Sequence, residues 1–118
     1  MATITEDYVS FEIAKLLKEK GFHEVCKCQY GRHGDISWTS CNNGNVTTFA
    51  RPTLQMAMKW LREVNKLFIE IKMSKNTFLW GYRVSISNGS TSCLHANNFN
   101  KYEEACEAAI KYCLENLI

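Results

Sequence analysis

The sequence is short of proline, of long apolar runs and of recognisable catalytic motifs. Pro52 is the only proline in 118 residues, which excludes proline-rich linkers and collagen-like chains. No stretch approaches the roughly 20 consecutive apolar residues that a membrane-spanning helix needs. The segment from Met1 to Glu12 carries acids and no apolar run, so no secretory leader is expected. Ala2 excludes N-myristoylation. Neither charge sign dominates: 14 lysines and arginines face 12 acids, for a net charge of +2. That balance argues neither for nor against a nucleic-acid partner. Walker loops, dinucleotide fingerprints, G-x-S-x-G, H-E-x-x-H and C-x-x-C are all missing. These absences predict a cytoplasmic chain with no membrane role, no cofactor and no enzymatic activity. In that compartment the six cysteines are expected as free thiols rather than as a disulfide framework.

What is present is a complete core pattern. Hydrophobic residues make up 46% of the chain, enough to bury a core in one domain spanning 1–118. Three segments have helical period. The first runs from about Phe11 to Lys20, with Ser10 as the expected cap, Thr5 as its rival, and Gly21 ending it in the left-handed conformation. The second starts after Pro52 and Thr53, and Leu54, Ala57, Met58, Leu61 and Val64 form its apolar face. Trp60 falls at the edge of that face. The third covers Tyr102 to Leu117, with Asn100 and Glu103 in capping-box spacing. Its stripe runs through Tyr102, Ala105, Cys106, Ala109, Ile110, Cys113, Leu114 and Leu117. This packing role removes Cys106 and Cys113 from most chemical proposals.

Elsewhere the period is two. Val25 to Tyr30 and Ile36 to Thr39 predict a hairpin turning at Gly31 to Asp35. Ile69 to Met73 and Phe78 to Ile86 predict a second pair joined at Ser74 to Thr77. Asn88-Gly89 predicts a turn that returns the chain near Ser92 to His95. The expected fold is α+β, in the order α-β-β-α-β-β-β-α. An antiparallel sheet of about four to five strands packs against the three amphipathic helices.

Three arrangements could carry function. Cys26-x-Cys28, His33 and Cys41 supply sulfur and nitrogen ligands of the kind zinc prefers, and His23 and the distant Cys93-x-His95 add to the inventory. The spacing departs from C-x2-C ribbons, so buried strand thiols are the plainer reading. Gly31-Arg32-His33-Gly34 has the G-x-x-G form of a backbone-clamping loop, but it joins two strands, which makes it a turn. Lys59, Arg62 and Lys66 form a basic ridge on the second helix. With Lys27, Arg32 and Arg51 they could contact phosphates, and Trp38, Trp80 and Tyr82 could stack on bases if they face solvent. The acidic outer face of the third helix makes the expected domain electrically two-sided, which fits a charge-complementary protein contact equally well.

Tyr8 to Glu12 running into Ala14 to Phe22, Pro52 to Val64, and Tyr102 to Ala105 with Ala108 to Tyr112 together carry a resemblance. The chain resembles a family of small uncharacterised proteins from Bacteroides-type gut bacteria and their phages or mobile elements. The likeness covers the three helices. It implies a cytoplasmic accessory role and brings no activity, cofactor or catalytic residue. Arg51 stands where a small residue would be expected before Pro52. The leading expectation is a small non-enzymatic module that binds a protein, either another chain or a second copy of itself. The alternatives are a nucleic-acid accessory protein using Arg51, Lys59, Arg62 and Lys66, and a metal site at Cys26, Cys28, His33 and Cys41.

Overall fold

A computed structural model of the chain describes residues 4–86, 92–94 and 98–118. It is α+β and divides into two compact units, Met1–Met56 and Ala57–Ile118. The order is α1 (Phe11–Glu19), β1 (Gln29–Tyr30), β2 (Ile36–Ser37), β3 (Phe49–Ala50), α2 (Leu54–Asn65), β4 (Leu67–Met73), β5 (Trp80–Ile86), β6 (Ser92–Leu94) and α3 (Tyr102–Asn116). Where one sheet of four to five strands is expected, there are two three-stranded antiparallel sheets, β2-β1-β3 and β4-β5-β6. The additional strand, β3, is two residues long and too short to show a period.

In the first unit Ser10 is the cap of α1, and its hydroxyl accepts from the Ile13 N–H at 3.3 Å. The rival Thr5 is exposed. Gly21 closes the helix at φ +94°, where a Cβ would be disfavoured. Ile13, Ala14 and Leu17 are buried. The hairpin forms as expected at its core, with Tyr30 opposite Ile36, although its strands are shorter than predicted. Gly31 and Gly34 serve the turn. The Gly31 N–H donates to the Asp35 carbonyl at 2.7 Å, and Gly34 sits at φ +86°. Before the hairpin, Cys26 and Cys41 form an isolated antiparallel bridge. The segment around Tyr8 pairs with the entry to α2: the Val9 N–H donates to the Pro52 carbonyl and the Leu54 N–H to the Asp7 carbonyl.

Two polar residues hold the 41–50 loop. Asn43, 6% exposed, has φ +67°. Its amide nitrogen donates to the Phe22 carbonyl at 2.8 Å and its oxygen accepts the Ala50 N–H at 2.7 Å. The Lys18 ammonium donates to the carbonyls of Asn45, Val46 and Thr48. It also lies 4.8 Å from the Phe49 ring centroid. Both residues replace missing ladder bonds with side-chain bonds, because a loop of this length has few backbone partners.

The helix α2 begins in the first unit and ends in the second. Thr53 caps it, its Oγ1 accepting from the Met56 N–H at 3.1 Å. Leu54, Ala57, Met58 and Leu61 are buried as the period predicts. Two positions differ from the prediction. Trp60 is 6% exposed rather than marginal, and Val64 is 60% exposed. Lys66 adopts φ +58° and turns the chain directly into β4. The reversal begins within one turn of Val64, which accounts for its loss from the packing face.

In the second unit β4 and β5 pair over their full length, from Leu67 opposite Ile86 to Met73 opposite Trp80. The connection is longer than expected: Phe78 lies outside the strand at φ +58° and is 70% exposed. The Ser74 N–H donates to the Leu79 carbonyl and the Phe78 N–H to the Ser74 carbonyl, closing that turn. Helix α3 covers the face carrying Trp80 and Tyr82, which meet Tyr102 and Tyr112 at ring-centroid distances of 5.4 and 6.3 Å. Glu70, Lys72 and Arg83 occupy the opposite, exposed face. The α3 stripe from Ala105 to Leu114 is buried, cysteines included. Its cap is shifted by one residue from the prediction: Lys101 takes the cap position, and the Glu104 carboxylate accepts from the N–H groups of Asn100 and Lys101. The Asn88-Gly89 turn and His95 lie outside the described residues. Ser85 pairs antiparallel with Ser92. Among the described residues no helix is long and apolar enough to cross a membrane.

Candidate functional site

Arg51 is the centre of the first unit's polar structure. It follows β3 and precedes Pro52, which keeps the residue before it extended. Its backbone N–H donates to the Cys28 carbonyl at 3.1 Å and continues the β1-β3 pairing. The guanidinium carbon lies 4.3 Å from the Tyr8 ring centroid, 5.4 Å from that of Tyr30 and 5.7 Å from that of Trp38. Nη1 donates to the Cys28 Sγ at 3.5 Å. Tyr30 is itself fixed, its hydroxyl donating to the Val9 carbonyl at 2.5 Å. Tyr8 and Trp38 meet edge to face at 5.8 Å.

The cation is permanent. Burial acts to lower the Arg51 pKa, and hydrogen bonding to Tyr30 and Cys28 outweighs it, so the group is held above its ordinary value. Yet its partners are weak ones: ring faces, a phenol and a thiol sulfur. The Arg51 Nε is buried and has no hydrogen-bond partner. Arg51 also lines a cleft of about 320 Å³, together with Glu6, Tyr8, Val25, Lys27 and Met56. The cleft therefore combines a fixed planar cation, a second cation, one carboxylate and apolar walls. A larger groove of about 780 Å³ on the same unit is lined by Val25, Cys41 and the polar loop residues from Asn42 to Thr48, with no charged side chain.

The candidate metal ligands are placed unequally. Cys26, Cys28 and Cys41 are all buried free thiols. His33 is exposed on the hairpin turn. Among the described residues no group of three or more His, Cys, Asp or Glu side chains is arranged to hold a metal ion. Burial, followed by the neighbouring Cys28 and Cys41 and by Glu24, pushes the Cys26 thiol from 9.0 up to about 12. A raised folded pKa stabilises the fold below the ordinary thiol value of 9.0, and that contribution disappears as pH rises towards the folded value. Stability against urea should therefore decline as pH rises from about 9 towards 12, and Cys26→Ser should flatten part of the decline. Tyr82, raised by burial and then by Cys113 and Tyr112, contributes a remainder of the same sign.

The basic ridge is less continuous than its spacing predicts. Lys59 and Arg62 are exposed on α2. The Arg62 Nε lies 3.4 Å from the Glu63 carboxylate. Lys66 leaves the helix, and its ammonium donates to the Glu63 carbonyl at 3.0 Å. Arg51 lines a cleft of the first unit, while Lys59, Arg62 and Lys66 lie in the second. Of the expected stacking aromatics, Trp80 and Tyr82 pack on α3, and Trp38 is 67% exposed. The convergence of Tyr8, Tyr30 and Trp38 on Arg51 has no signature in sequence spacing. Its one signal is a long cation directly before the only proline.

No family model, curated protein or solved structure matches the chain.

Proposed function

We propose that the chain is a non-enzymatic protein-binding module that works through the hairpin surface of its first unit. One observation carries this reading. Val25, Ile36 and Trp38 are 64%, 51% and 67% exposed on or beside one short hairpin. Trp38 is pre-positioned there by Tyr8 and Arg51. Rigid, amphipathic aromatics on a fixed scaffold are the residues that anchor protein interfaces, because little entropy is lost when they dock. An accessory role in a Bacteroides-type bacterium or mobile element is consistent with such a module. The nucleic-acid alternative is weakened by the acid beside Arg62 and by the departure of Lys66 from the ridge.

A photo-crosslinker at Ile36 of this chain, expressed in a Bacteroides-type bacterium, tests the reading. It should give discrete protein adducts, or a dimer of this chain. Trp38→Ala should suppress them about ten-fold or more, as expected for an interface anchor. Adducts indifferent to Trp38→Ala would count against it. So would salt-dependent oligonucleotide binding that is lost on charge reversal at Lys59 and Arg62.

A further inference from the structure

We infer that the Arg51 cleft is a carboxylate-binding subsite, taking an acidic peptide side chain flanked by an apolar residue. The inference rests on the protein-binding reading above and deepens it by naming the chemistry recognised. Arg51 is fixed against three aromatic rings, so its guanidinium loses little freedom on meeting a ligand. Among the described residues no carboxylate forms an ion pair with it. The acceptors it has are a thiol sulfur and a phenol, both weak partners for a guanidinium. A planar donor in this state favours a planar, charged acceptor, and a carboxylate is the group whose geometry fits a guanidinium.

The rest of the lining sets the class of anion. Lys27 and Arg51 bring two positive charges and Glu6 one negative, a net of +1. That suits a monoanion better than a phosphate dianion or a polyanionic backbone. Val25, Met56 and Pro52 make an apolar wall beside the cations, which fits an aliphatic neighbour of the acid. A volume of about 320 Å³ is at the small end of ligand sites and holds one or two side chains rather than a folded element. Glu6 is exposed and lines the same cleft. Its negative charge opposes an incoming carboxylate in that cleft.

Amide and arginine Nε–Hε spectra of isotopically labelled full-length protein test this directly. The probe is the capped tripeptide Leu-Glu-Leu, compared with Leu-Gln-Leu, a phosphoserine counterpart and inorganic phosphate. The Glu peptide should shift the Arg51 Nε–Hε and Trp38 indole signals saturably. It should bind about ten-fold or more tightly than the Gln peptide, the size expected for one charge-assisted contact. Glu6→Gln, at an exposed position, should tighten binding several-fold by removing that negative charge. Arg51→Lys should weaken it. Equal binding of the Glu and Gln peptides would overturn the carboxylate subsite while leaving an apolar protein-binding surface intact. Preference for phosphoserine or free phosphate would overturn it in favour of a phosphate site. Absence of any shift with all four probes, in wild type and in Glu6→Gln, would also overturn it. If an oligonucleotide shifted the same signals instead, the protein-binding reading would fall as well.

Discussion

Asn43→Ala is expected to lower the stability of the first unit by about 3 kcal/mol, a large effect for a single polar substitution. Two buried bonds are lost together. Phe22 and Ala50 are both fully buried. The Phe22 carbonyl then loses its donor and the Ala50 N–H loses its acceptor. Each buried bond lost in this way costs about 1–3 kcal/mol when water cannot replace it. The backbone adds to the loss. Asn43 sits at φ +67°, a region asparagine tolerates and alanine enters at a cost of about 1 kcal/mol. Asn43→Gly separates the two contributions: it removes the backbone cost and leaves both bonds broken, so it should recover about 1 kcal/mol and no more. Asn43→Asp keeps the acceptor for Ala50 and sets a carboxylate against the Phe22 carbonyl, so it should be no better than alanine. Hydrogen exchange reads the effect locally. The Ala50 amide should lose protection in Asn43→Ala and Asn43→Gly and keep it in Asn43→Asp.

Asn43 also shows why parts of this fold are legible in the sequence and parts are not. The helices announce themselves because their signals are local: Ser10 and Gly21 bracket α1, Thr53 opens α2, and the α3 stripe repeats along the helix. The hairpin turn at Gly31 to Asp35 is local too. What is hidden is fixed by partners distant in sequence. Asn43 lies in a stretch that reads as loop, because asparagine there is equally suited to solvent. Its burial follows from Phe22 and Ala50 closing over it. Lys18 belongs to the polar face of a helix by period, yet it ties three carbonyls 27 to 30 residues away. The strand β3 is held by pairing with β1 and by the Asn43 bond to Ala50, and no alternation of its own announces it. The split into two sheets follows from the same cause. Two-residue strands carry no period long enough to state which neighbours they choose. At the candidate site the individual residues are visible in the sequence and their assembly is not. Charge alone groups Arg51 with Lys59, Arg62 and Lys66, whereas its surroundings group it with Tyr8, Tyr30 and Trp38.

That regrouping leads to the second large effect. Arg51→Met should cost the first unit about 2 kcal/mol, summed over the rings that face the cation. Tyr8, at 4.3 Å, is within full cation–π range, and Tyr30, at 5.4 Å, is buried. Together these two are worth about 2–3 kcal/mol when desolvated. Trp38, at 5.7 Å and 67% exposed, adds roughly 0.5 kcal/mol because water screens it. Against this, methionine removes the buried Nε that has no partner, and relieving it offsets about 1 kcal/mol. Methionine fills most of the arginine stem's volume, so it leaves no large cavity. Arg51→Lys keeps a charge over Tyr8 without the planar fork, and its stability should fall between wild type and Arg51→Met. Urea unfolding followed by the Trp38 indole resonance isolates this unit from Trp60 and Trp80. A double-mutant cycle with Tyr8→Leu should give a coupling of about 1 kcal/mol. The two variants also divide structure from recognition. If Arg51 serves only as a pin between rings, peptide affinity will follow stability, with Arg51→Lys losing less than Arg51→Met. If its fork grips a carboxylate, Arg51→Lys will lose affinity out of proportion to its stability, because a point charge can replace the pin but not the bidentate contact.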